Sequence, residues 1–299
     1  MDVIPIIDAH HHLWDLERFS YPWLGKTPRP ASVAGDVAPI ARNYLLADYL
    51  RDASGQNLTK SVHVDAGMDP LHPVEETRWL QSIADEHGFP HGIVARAELN
   101  QKGVQRILEQ HCQFPNVRGI RHIVNWHADS AKTFVQRDDL LRDPDWLSGF
   151  GLLRGFNLSF DLQLYPSQFA DAVVLAQRFP DTTIILNHAG MPVDRNEEAY
   201  IYWRDGMRRL AAVSNIWVKI SGLGMVDWNW TEASIRPFVL DTIDCFGVDR
   251  CMFASNFPVD KLYSSFDTLY GAFRRIVHSF EEHEQRMLFG ETAAKVYRL

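Results

Sequence analysis

Residues 182–190 read TTIILNHAG. Three consecutive large aliphatic side chains, Ile184, Ile185 and Leu186, leave no polar face, so a strand made from them must be covered on both sides. The run then ends in groups that hydrogen-bond or titrate, Asn187 and His188, followed by a glycine that allows a sharp turn. A doubly covered strand with chemistry at its C-terminal end belongs to α/β proteins, either closed barrels or doubly wound open sheets.

The pattern recurs along the chain. Short β-rich runs occur at VIPIID (3–8), SVHVD (61–65), GIVARAEL (92–99), GIRHIV (119–124), FNLSFDLQL (156–164), IWVKISG (216–222) and RCMFASN (250–256). Between them lie helical signals. EETRWLQSIADEHG (75–88) gathers Trp79, Leu80, Ile83 and Ala84 on one face and stops at Gly88. SQFADAVVLAQRFP (167–180) opens at a capping Ser167 and ends before Pro180, and DTLYGAFRRIVHSF (267–280) aligns Leu269, Phe273 and Ile276. Eight strands alternating with helices predict a single (β/α)8 barrel domain over residues 1–299. No G-x-G-x-x-G follows the first strand, which weakens the open-sheet alternative. A Pro-, Gly- and aromatic-rich stretch from about Trp14 to Ala47 leaves the first strand, so it is expected to lie over the barrel mouth.

Composition narrows the function classes. The 299 residues are 46% hydrophobic, and 30 basic against 38 acidic side chains give a net charge of −8. That balance argues against nucleic acid or an anionic membrane surface as partner. No apolar run reaches the roughly 20 residues of a bilayer span, and no signal peptide is evident. Cys112, Cys245 and Cys251 follow no paired spacing. The expectation is a cytoplasmic enzyme acting on a small molecule, with self-association left open.

Chemistry in a barrel sits where the strands end. The first strand ends in IDAHHHLWD (7–15), supplying Asp8, His10 and His12; alternation puts His10 and His12 on one side and His11 on the other. Later strand ends supply His63 and Asp65, Glu98 and Asn100, Arg121 and His122, Asn157 and Asp161, Asn187 and His188, Lys219 and Ser221, and Asn256. Two imidazoles on one side suit a metal, a carboxylate or a polarised carbonyl. Arg121 with His122 reads equally well as a rim salt bridge, and Asp161 with Lys219 as a buried ion pair. Trp228, in VDWNW, is a candidate pocket wall.

Taken together, IDAHHHLWD, YPWL, ETRWL, GIRH, LNHAG, VKISG, MFASNFPVD and the terminal AAKVYRL resemble the amidohydrolase superfamily. The likeness is greatest to its amidohydrolase-related branch of sugar-acid lactonases (the L-fuconolactonase type) and pyrone-dicarboxylate lactonase. The resemblance implies a (β/α)8 barrel that hydrolyses a carboxylic ester ring, with His10, His12 and His188 in the site. It also implies an eighth-strand aspartate, in a GSDWP motif, that accepts the proton of the attacking water and ligates metal where metal is used.

This chain departs there: ASNFP puts Asn256 in the aspartate's place. An amide neither accepts a proton at neutral pH nor ligates metal well. Either another group is the base, with Asp260, Asp161, His188 and Asp65 the candidates and Asp260 preferred, or the reaction needs none there, or the asparagine replaces a working aspartate. GIRH carries no lysine to bridge two metals, so no metal is expected to be obligatory; one weakly held divalent ion such as zinc, on His10, His12 and His188, is the alternative. The expected reaction is lactone opening in carbohydrate or aromatic catabolism. His10, His12, His188 and Arg121 then act as cationic donors to the carbonyl oxygen, and His122, Asp65, Glu98, Asp161, Lys219 and Trp228 contact the substrate. A metal-dependent decarboxylase or lyase, a lactone isomerase and a degenerate metabolite-binding barrel are the competing readings.

Overall fold

The computed structural model describes residues 4–25 and 32–299. Eight parallel strands follow one another around a barrel: β1 (Ile6–His11), β2 (Leu58–Val64), β3 (Gly92–Arg96), β4 (Val117–Arg121), β5 (Ser159–Leu162), β6 (Ile184–Leu186), β7 (Ile216–Ile220) and β8 (Cys251–Phe253). Each pairs with the next in chain order. The circle closes just beyond β8. There the Asn256 N–H donates to the His10 carbonyl at 2.8 Å and the His12 N–H to the Phe257 carbonyl at 2.7 Å.

The interior is apolar at its base, where Ala9, Val62, Val64, Val94, Ile185, Met252 and Ala254 pack together. The C-terminal helix Thr292–Tyr297 closes this end with Ala293, Val296 and Tyr297. Helices cover the outside. Glu75–His87 buries Trp79, Leu80 and Ala84 and stops at Gly88, whose φ of 76° is open to glycine at little cost. Phe266–Ile276 buries Leu269, Phe273 and Ile276 and is capped by Ser265, whose side chain accepts from the Thr268 N–H. Among the described residues no helix is long and apolar enough to cross a membrane. The three cysteines are unpaired.

Three local expectations are corrected. Ser167 does not cap its helix: it lies within a 3-10 turn, Pro166–Gln168, and the helix proper is Phe169–Arg178. The fifth strand is shorter than its apolar run, because Leu153–Phe156 form another 3-10 turn and Asn157 takes a φ of 55°. Asn157 therefore lies at the wrong end of the strand for the site. The third concerns Asp8. Its neighbour Ala9 faces the interior, but the β1–β2 register shifts between Asp8 and His11. This irregularity changes the alternation, leaving Asp8 on the helix side and turning His10 and His12 inward.

Asp8 consequently has a structural task. It accepts from the Ser255 N–H at 2.7 Å, the Ser255 hydroxyl at 2.6 Å and the Tyr49 hydroxyl at 2.8 Å. Burial raises its pKa, while the bonds from Ser255, Tyr49 and His10 oppose the rise. Asp8→Ala strands these buried donors together with the His10 N–H and the Tyr270 hydroxyl, each 3.3 Å from the carboxylate. It is expected to cost roughly 3 kcal/mol or more in urea unfolding, against about 1 kcal/mol for Tyr49→Phe; equal losses would show that the seam does not depend on the carboxylate.

Candidate active site

A cavity of about 840 Å³ opens at the C-terminal ends of the strands. Of the residues singled out from sequence, its wall contains His12, Asp65, Glu98, Asn100, Arg121, His122, His188 and Asn256. The loop after β1 contributes Pro22, Trp23, Val33 and Val37, so its described part covers the cavity as expected. Residues 26–31 of that loop, with the lysine that ends YPWLGK, and residues 1–3 lie outside the described residues.

His10 sits behind His12 and against His188. The rings of His10 and His12 have centroids 4.9 Å apart, and those of His10 and His188 lie 4.6 Å apart. His12 gives its Nδ1–H to the Val64 carbonyl at 2.8 Å. The Nδ1 of His188 meets the Ser221 hydroxyl at 2.9 Å. The turn holding His188 is strained: His188 and Ala189 have φ of 56° and 49°. Gly222 permits this packing, since a Cβ there would lie 2.6 Å from the His188 Nδ1.

The expectation of cationic imidazoles is corrected. Burial, then the positive charge of Arg121, lowers His12 to about 4. Burial likewise takes His10 and His188 well below the ordinary range, helped by Lys219 for the first and Arg121 for the second. All three are neutral at pH 7, and each is a directional donor or acceptor instead of a charge.

Arg121 is the wall cation nearest the three imidazoles, with Arg96 further along the wall, and it is held rigidly. Its Nε donates to Asp65 at 2.5 Å, a second nitrogen donates to the Asp65 carbonyl, and a third reaches the Gln163 amide oxygen at 3.0 Å. Burial alone would raise the Asp65 carboxyl, but Arg121 and Arg96 outweigh it and keep it ionised. Behind this pair lies Glu76, pushed up to about 8 by burial and by the charge of Asp65. On the adjoining wall His122 accepts at Nδ1 from the Leu99 N–H and the Trp146 indole, both at 3.1 Å, so its proton is on Nε2, 3.3 Å from Glu98. This hydrogen bond, reinforced by Arg96, holds Glu98 down to about 2.

Besides His10, four of the residues assigned to catalysis or substrate contact lie outside the cavity wall. Asp161 and Lys219 form a buried ion pair in the barrel interior, both without solvent exposure. Trp228 stacks on Tyr263 with centroids 6.0 Å apart and donates to the Val33 carbonyl at 3.1 Å, so it supports the loop from outside. Asp260 is buried beside the wall residues Asn256 and Val259, and Lys261 pairs with Asp52, not with it. Neither Asp260 oxygen has a bonded partner; the Asn256 amide and the backbone of Met225 and Gly222 approach without bonding geometry. Burial pushes Asp260 up to about 7, against the weaker pull of those neighbours. Asn256 has a φ of 56°, a conformation that asparagine tolerates better than most residues.

Sequence reasoning missed Arg96, Gln163 and Glu76. The first two were legible in principle: Arg96 precedes Glu98 by two positions and Gln163 follows Asp161 by two, so each shares its neighbour's side of the chain. Glu76 gave no such signal, because the first turn of a helix favours acidic residues whatever they face.

Comparison with known proteins agrees with this geometry. The amidohydrolase family profile matches residues 7–299. An uncharacterized protein of Sinorhizobium fredii, y4mH, is 50% identical over the full length of both chains. An L-fucono-1,5-lactonase of Burkholderia multivorans is 28% identical, covering 98% of this chain and 96% of its own. A crystal structure of a Burkholderia multivorans amidohydrolase with bound zinc superposes with a TM-score of 0.82 at 26% identity, covering 99% of each chain. From strand order, the residues gathered at the barrel mouth and these likenesses, the chain is a member of the amidohydrolase family.

Proposed function

We propose that the protein opens the ester ring of a small lactone, a sugar-acid or dicarboxylate lactone, by attack of water on the ring carbonyl. The observation that carries the reading is Asp260: a buried carboxyl with uncommitted oxygens, beside the wall residue Asn256 and poised at about 7. The 28% identical L-fucono-1,5-lactonase supports the substrate class.

In this mechanism the lactone carbonyl lies against Arg121, whose charge stabilises the oxyanion as water adds. Asn256 orients the water by a hydrogen bond. The water's proton passes to Asp260, the tetrahedral intermediate collapses, and the ring oxygen leaves as an alcohol after taking that proton back. His12 is a poor alternative base, since a group at about 4 holds a proton weakly at pH 7, whereas one near 7 is matched to the task. Asp161, unlike Asp260, has its oxygens committed to Lys219 and Tyr297.

A divalent ion fits the donor set poorly. Among the described residues no three His, Cys, Asp or Glu side chains are grouped to hold one. Three neutral imidazoles and an amide bring no carboxylate to offset its charge, and Arg121 already lies beside them. A metal held there is held weakly, and no step of the mechanism runs through it.

A panel of neutral and carboxylated lactones, assayed with and without chelator, tests the reaction class; absence of ring opening across the panel overturns it. With an accepted lactone, Asn256→Ala should lower kcat roughly tenfold, as for one positioning bond. Asp260→Asn should lower it by about 10² to 10⁴, with unchanged thermal stability because no bonded partner is lost. Asn256→Asp should give no rise, since a second carboxylate beside Asp260 forces one of the pair to stay protonated. A gain of orders of magnitude there would disprove the base assignment.

The pH profile gives a separate check. Asp260 works as the carboxylate, so kcat/KM should climb as pH rises through about 7 and level off above it. A profile flat from pH 5 to 9 would show that no group of this kind takes the proton.

A further inference from the structure

The His10–His12 pair poses a question about its own hydrogens. The two Nε2 atoms face each other at 3.3 Å, and one of them must donate for this to be a hydrogen bond. His12 is settled by its other nitrogen: the Val64 carbonyl only accepts, so the His12 proton is on Nδ1 and its Nε2 carries a lone pair. His10 must then be the donor, with its proton on Nε2 and a lone pair on Nδ1.

The far side of His10 gives the same answer independently. Its Nδ1 is 3.4 Å from the Lys219 Nζ. An ammonium has three donors and no acceptor, so a nitrogen facing it presents a lone pair. Lys219 is pinned in place: Asp161 accepts from it, and the Tyr297 hydroxyl secures the same carboxylate at 2.9 and 3.0 Å. One directed chain therefore runs from Lys219 through His10 and His12 to the Val64 carbonyl.

We propose that Lys219 is a positioning residue that holds His10 as its Nε2–H tautomer, making the His10–His12 pair one donor and one acceptor instead of two metal-ligating nitrogens. Histidines that ligate through Nε2 normally give their other N–H to a carbonyl or carboxylate, as His12 does. At His10 that partner is replaced by a cation, which opposes ligation. The arrangement commits the His10 N–H to the His12 lone pair, so neither Nε2 is free for a metal while that bond holds. Its use in ring opening rests on the lactone reading, but the tautomer does not, so the two fail in different experiments.

The test is the long-range proton–nitrogen spectrum of chelator-treated protein labelled with 15N-histidine, the His10 signals being identified by their loss in His10→Gln. An unprotonated Nδ1 and a protonated Nε2 at His10 support the proposal; the reverse overturns it, whatever any variant does. Lys219→Gln adds a second arm, because its amide oxygen can accept a proton from Nδ1. In folded Lys219→Gln the His10 tautomer should reverse and zinc affinity, measured by chelator competition, should rise roughly tenfold or more. An unchanged tautomer with unchanged zinc affinity would overturn the role given to Lys219.

Discussion

The site depends on how the barrel closes. β1 and the segment after β8 meet through the Asp8 carboxylate, which binds Ser255 by backbone and side chain, and through the backbone bonds of Asn256 and His12. His10 and His12 stand on one side of this seam and Asn256 on the other. A barrel left open there would lose the arrangement of groups at its mouth. The irregularity in β1 belongs to the same device, since it turns Asp8 toward the helices and the two histidines toward the cavity.

Burial determines the chemistry within that frame. Charges that enter the interior do so in matched sets: Lys219 with Asp161, and Arg121 with Asp65. Each set avoids the several kcal/mol that an isolated buried ion would cost. Groups without such a partner neutralise instead. The imidazoles lose their protons, while Glu76 and Asp260 keep theirs to higher pH. The wall thus combines fixed positive charge and neutral directional nitrogen, with one carboxyl that titrates near neutrality buried beside it.

Much of this was legible in the sequence. Runs such as IILN announce themselves because doubly covered strands have no polar face to alternate, and the polar residues at their ends marked one part of the cavity wall, from His12 round to Asn256. Asp8 was misplaced because strict alternation cannot anticipate an irregular strand. The imidazoles were taken for cations because an isolated histidine titrates near neutrality, and only the depth of burial moves it. Lys219 was recognised as an ion-pair partner of Asp161, but its approach to His10 joins β7 to β1 across the interior, a contact that no local pattern encodes. Glu76 was hidden for a similar reason: its helical signal says nothing of the strand end it faces.

Asn256 carries a further consequence through its backbone. At a φ of 56° the main chain there admits glycine, asparagine and aspartate readily and penalises most other side chains. The polypeptide thus acts as a filter on what this position can hold before any chemistry is considered. Of the three residues it passes easily, two have nearly the same shape and differ by an oxygen in place of an amino group. The distinction between a neutral pointer and an ionisable group at the barrel mouth is therefore open to a single isosteric exchange that the fold itself does not oppose.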